Sequence, residues 1–92
     1  MDITKSKILG YCIGRGFCCT YAYNDVSNKW FANIDKSTIY DSVEKAIIVL
    51  DKIKEKWKTA QIYEIVQFPN GEERVGTLGG LSSMIATKKL FS

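Results

Sequence analysis

The chain contains no histidine, and only one of its 92 residues is proline. Without histidine it lacks the commonest general base near neutral pH, and with it the usual serine and cysteine dyads. Three cysteines, Cys12, Cys18 and Cys19, are too few for a four-thiolate metal centre and odd in number for a disulfide scaffold. Reduced, partly buried thiols are expected, and no metal. No apolar run reaches the roughly 20 residues that cross a bilayer. Met1-Asp2-Ile3-Thr4-Lys5 does not lead into the uninterrupted apolar stretch of a secretory signal. These absences point to a cytoplasmic protein without membrane contact. The formal net charge of +3 is mild; it permits contact with nucleic acid without demanding it.

What is present is an ordinary globular composition, 46% apolar and 25% charged. Ninety-two residues support one core and not two, so residues 1–92 are expected to form a single compact domain, with 78–92 as a peripheral or partly ordered tail. Lys7 to Ile13 reads as a strand, Gly14-Arg15-Gly16 as a three-residue hairpin loop, and Phe17 to Tyr23 as the returning strand. A symmetric loop of that length sets Cys12 opposite Cys18 and Tyr11 opposite Cys19. Lys29 to Ile34 follows as a third strand, and Thr38-Ile39-Tyr40 as a short extended segment.

The strongest signal is helical. Val43, Ala46, Ile47, Leu50, Ile53, Trp57 and Ala60 recur at steps of three and four along one apolar face, with Asp41 or Ser42 as the N-cap. Trp57 therefore belongs to the core, and Ile48 points nearly opposite. Gln61 to Phe68 and Glu72 to Thr77 read as two strands around the turn Pro69-Asn70-Gly71. Leu81 to Ser92 is expected as a short helix or a tail. The predicted fold class is α+β: a small antiparallel sheet packed against one principal helix, in β-β-β-α-β order, with a C-terminal hairpin or short helix.

Catalytic patterns are weak. Gly10 to Gly16 matches neither standard phosphate-loop fingerprint and no helix follows it. Asp25, Asp35, Asp41, Glu64, Glu72 and Glu73 have no diagnostic spacing, and turns, caps and solvation account for them. No catalytic, cofactor-binding or metal-binding residue is therefore assigned, and the chain is not expected to be an enzyme. The second strand is more informative. Phe17, Cys19, Tyr21 and Tyr23 alternate onto one face, extended by Tyr11. That face is either core beneath the helix, a protein-contact surface or, third, a base-stacking platform. Arg15 at the hairpin tip suits an acidic partner. With Ile48, these residues form the candidate interaction surface: Arg15, Phe17, Cys19, Tyr21, Tyr23 and Ile48. The lysines Lys52, Lys54, Lys56 and Lys58 do not share one helical face and read as a solvated surface.

The strand hairpin is followed by Trp30-Phe31-Ala32-Asn33-Ile34-Asp35-Lys36-Ser37, then Thr38-Ile39-Tyr40, Asp41-Ser42-Val43-Glu44-Lys45-Ala46, a lysine-rich helix and Tyr63-Glu64-Ile65-Val66. This arrangement, across residues 7–67, resembles small accessory proteins of bacteriophages and mobile elements. The paired Cys18-Cys19 and the glycine-rich segment after Thr77 depart from it. The resemblance implies a noncatalytic protein-binding module that inhibits a host defence complex, in the manner of an anti-CRISPR protein, with a host protein or protein complex as partner. The alternative from the residues themselves is a weak nucleic-acid-binding protein using the aromatic face and peripheral basic residues.

Overall fold

The computed structural model describes residues 2–16 and 19–91. Five strands, β1 (Lys7–Arg15), β2 (Tyr21–Asn24), β3 (Lys29–Phe31), β4 (Gln61–Gln67) and β5 (Glu73–Thr77), form one antiparallel sheet in the order β3-β2-β1-β4-β5. Two helices, α1 (Val43–Ile53) and α2 (Gly80–Phe91), complete an α+β fold. No helix of the described residues is long and apolar enough to cross a membrane.

The central strand does not end at Ile13. It runs on to Arg15, and Arg15 pairs with Tyr21, so the connection to β2 spans residues 16–20. The tight hairpin over Gly14-Arg15-Gly16 is therefore replaced by a longer loop that takes positive φ at Gly16 and at Cys19. Gly14 is held in the strand by close packing. A β-carbon there would lie 2.8 Å from the Tyr63 ring and clash with the Cys19 sulfur. The longer loop changes the register. Cys12 faces Tyr63 across β4, and Tyr11 pairs with Glu64 on one side and bridges Tyr40 on the other, not Cys19. Phe17 and Cys18 lie outside the described residues.

Pairing between β1 and β4 shifts between Ile8 and Gly10. This bulge changes the phase of the strand, placing Ile8 opposite Val66 and Gly10 opposite Ile65. Tyr11, Ile13, Tyr23 and Ile62 consequently share the face that packs on Ala46, Leu50 and Ile53 of α1. Val66 and Phe68 on the same face bury Ile85 of α2. Cys12, Tyr63 and Ile65 point the other way.

Ser42, the alternative cap, starts α1, accepting a bond from the Lys45 N–H at 3.3 Å. Asp41 instead pairs with the Lys45 ammonium. The helix stops at Ile53, so Lys54, Lys56, Trp57 and Lys58 lie beyond it. The chain turns there, with Trp57 N–H bonded to the Ile53 carbonyl and Lys54 Nζ to the Ala60 carbonyl. Ile47 is 43% exposed, while Val49 takes a place against the core. The third strand is shorter than its sequence pattern suggests, since residues 34–36 form a 3₁₀ turn capped by Asn33. Of the expected alternatives for the C-terminal segment, the structure shows the helix, 12 residues long.

Candidate functional site

The residues nominated by the sequence divide between the two faces of the sheet. Arg15 is not at a loop tip. Its guanidinium lies 4.5 Å from the centroid of Trp57, 4.8 Å from Trp30 and 5.2 Å from Tyr21. Trp30 packs in turn against Tyr23 and Trp57, at centroid separations of 5.0 and 5.6 Å. Each such cation–ring contact contributes about 0.5–2 kcal/mol depending on desolvation, so this arginine closes the end of the core. Tyr23 is buried and its hydroxyl donates to Asn28 Oδ1 at 2.8 Å. Tyr21 is half exposed at the margin. Cys19 leaves this face altogether, because its left-handed backbone carries the thiol over Gly14 to join Cys12 and Tyr63. Ile48 stands apart on the outer side of α1, 59% exposed. Phe17 lies outside the described residues.

A more continuous feature is the sheet face turned away from both helices. Cys12, Tyr63 and Ile65 form its buried floor, with Cys19, Ile34 and Val75 packed at the sides. Ile34 follows one edge strand and Val75 belongs to the other, yet both line a single groove of about 520 Å³ together with Cys19, Ala22, Ala32 and Asn33. The sheet is thus curled until its edges approach on this side. Ile34 also borders a second groove of about 290 Å³ with Leu9, Asp35, Ile39, Ile65 and Glu73. Leu9 is the residue gained at the β-bulge and is 41% exposed; Ile39 is 47% exposed.

The two charged residues lining the second groove, Asp35 and Glu73, are acidic. Among the described residues the ion pairs are Lys45–Asp41 and Arg74–Glu72, and neither involves Asp35 or Glu73. Two carboxylates without salt-bridge partners therefore flank an apolar groove. Sequence reasoning missed Leu9, Ile34, Ile39 and Val75 as a set, because they come from four separate segments. The one local cue was Ile8-Leu9, two adjacent apolar residues that break strand alternation where the bulge occurs.

Beside the first groove the two thiols interact. The half-buried Cys19 packs against the cluster that holds the fully buried Cys12, and its thiol donates to the Tyr21 carbonyl at 3.8 Å. The neighbouring Cys19 thiol and burial raise the Cys12 pKa, and the proximity of Cys12 holds the Cys19 thiol below its ordinary value. Among the described residues no three His, Cys, Asp or Glu side chains converge as a metal site. No protein-family model matches the chain, and no curated protein or solved structure does either.

Proposed function

We propose that the chain is a noncatalytic protein-binding module whose helix-free sheet face receives an apolar segment flanked by lysine or arginine from a partner protein. The observation that carries this reading is the groove around Ile34, with Leu9 and Ile39 half exposed and Asp35 and Glu73 lacking salt-bridge partners at its rim. Covering Leu9 and Ile39 gains about 25 cal/mol for each Å² of apolar surface removed from water, and the rim carboxylates favour a basic partner and reject an acidic one. The resemblance to accessory proteins of phages and mobile elements makes a host defence complex the partner class, and inhibition by occupancy the mode of action.

The nucleic-acid reading is less well supported. Tyr23 is buried beneath α1, and the Arg15 guanidinium lies against the rings of Tyr21, Trp30 and Trp57. A stacking platform needs open ring faces.

Selection of peptides from a random display library on the immobilised protein tests the proposal. Binders should converge on one or two large apolar residues next to Lys or Arg. Their NMR shift perturbations should centre on Leu9, Ile34, Ile39 and Val75, and Leu9→Asp with Ile39→Asp should abolish binding. Perturbations centred on Ile47 and Ile48, or binders rich in acidic residues, would overturn it.

A further inference from the structure

Cys12 and Cys19 stand on neighbouring segments with sharply different access to solvent. Cys12 sits in mid-strand, fully buried, on the same face as Gly14 two residues further along β1. Cys19 hangs over that stretch from the loop. Its sulfur lies so close to Gly14 that a β-carbon there would clash with it, and its thiol donates to the Tyr21 carbonyl at 3.8 Å. It also lines the open groove, whereas Cys12 does not. The left-handed backbone at Cys19, φ 59°, is a conformation that side-chain-bearing residues adopt at a cost. Here it packs the Cys19 side chain against the buried cluster that contains Cys12.

We propose that Cys19 and Cys12 are a reactive dithiol, Cys19 the attacking and Cys12 the resolving thiol, that closes to a disulfide on encounter with a small disulfide of the oxidised-glutathione class. The Cys19 thiolate attacks one sulfur of the small disulfide. A Cys19 mixed disulfide forms, the small S–S bond breaks, and the first small thiolate leaves and takes up the proton that Cys19 gave up. Cys12 then loses its proton and attacks the Cys19 sulfur, expelling the second small thiolate, which is protonated in turn. Two electrons pass from the protein dithiol to the small disulfide, which ends as two small thiols. Exposure and thiolate character both favour Cys19 for the first step, and burial keeps Cys12 from competing for it. The inference does not rest on the docking reading of the same face.

The test uses the full chain with Cys18→Ser, which leaves the proposed pair intact. The protein is incubated with oxidised glutathione in native buffer and in urea, quenched by acid and alkylation, and read by intact and tryptic mass spectrometry. Trypsin cuts after Arg15, so the disulfide must appear as a bond between two peptides, one carrying Cys12 and the other Cys19. Closure should be roughly tenfold or more faster in native buffer than in urea, where the thiols are no longer held together. Adding Cys12→Ala should arrest the reaction as a stable glutathione adduct on Cys19, and should raise the pH at which iodoacetamide alkylates Cys19. Should that variant fail to fold, as judged by circular dichroism, the linkage and rate in the Cys18→Ser protein decide alone. An adduct on Cys19 that never resolves, an unmodified native protein, or closure as fast in urea as in native buffer would overturn the inference.

Discussion

Glu64 shows how much one side chain can contribute to this fold. It is almost fully buried in β4, and its carboxylate accepts from the Ser82 N–H at 2.8 Å, the Ser82 hydroxyl at 2.9 Å and the Gly79 N–H at 3.3 Å. These donors lie at the start of α2, where the first N–H groups have no partner within the helix and negative charge is favoured by the helix dipole. Gly79, at the cap position, has no side chain to do this itself. Glu64→Ala should therefore strand buried donors and cost about 2–4 kcal/mol, whereas Glu64→Gln, which keeps one acceptor oxygen, should cost less. Urea melts followed by circular dichroism measure both. Equal losses for the two variants would show that the carboxylate is not acting as the cap. In sequence, Glu64 looked like any of the scattered carboxylates, since a cap supplied from 15 residues upstream has no local spacing.

At the scale of the element, α1 was legible from its apolar spacing, and its end was not. Val43, Ala46, Leu50 and Ile53 face the core as their period demands. Trp57 also reaches the core, but from the turn after the helix, packing on Trp30 and on the Arg15 guanidinium. Tertiary contacts thus keep the residue in the core while changing the backbone that presents it. Trp57→Ala should cost about 2–4 kcal/mol, somewhat less than for a fully enclosed tryptophan, and Ile48→Ala no more than about 0.5 kcal/mol. Urea midpoints for the pair check this, and similar small shifts in both would contradict the packing described. Ile47 fails the periodic pattern because α1 is rotated on the sheet so that Val49, in place of Ile47, joins Val43, Ala46, Leu50 and Ile53 against the core.

Over the whole molecule, segments distant in sequence are joined at a few buried points. Tyr40 is one of them. Its backbone bridges Tyr11 at the centre of the sheet, and its hydroxyl donates to Asp25 Oδ2 at 2.8 Å, tying the approach to α1 to the β2–β3 turn. Burial, and then the bond to Asp25, raise the Tyr40 pKa. A raised folded-state value means that this residue's contribution to stability is complete below the ordinary tyrosine pKa of about 10 and is lost as pH rises beyond it. The stability difference between wild type and Tyr40→Phe should accordingly stay constant, at about 1 kcal/mol, from pH 6 to 9 and shrink above pH 10. Urea melts of both proteins across that range measure it, and a difference that grows with alkalinity would refute the assignment.

The sequence by itself determined the α+β class, the main helix, the hairpin around Pro69-Asn70-Gly71 and the core role of Trp57. Each rests on local periodicity or turn chemistry, which act over a few residues. The sequence did not reveal the loop at 16–20, the bulge at Leu9, the cap from Glu64 or the meeting of Ile34 with Val75 around one groove. Those depend on which strand lies beside which, and a one-residue change of register exchanges the faces of a strand. Tertiary structure alone decided that Tyr23 of β2 lies beneath a helix while Tyr21 stays at the margin, that Cys19 turns toward the buried cluster of Cys12, and that the open apolar surface is the opposite face of the sheet.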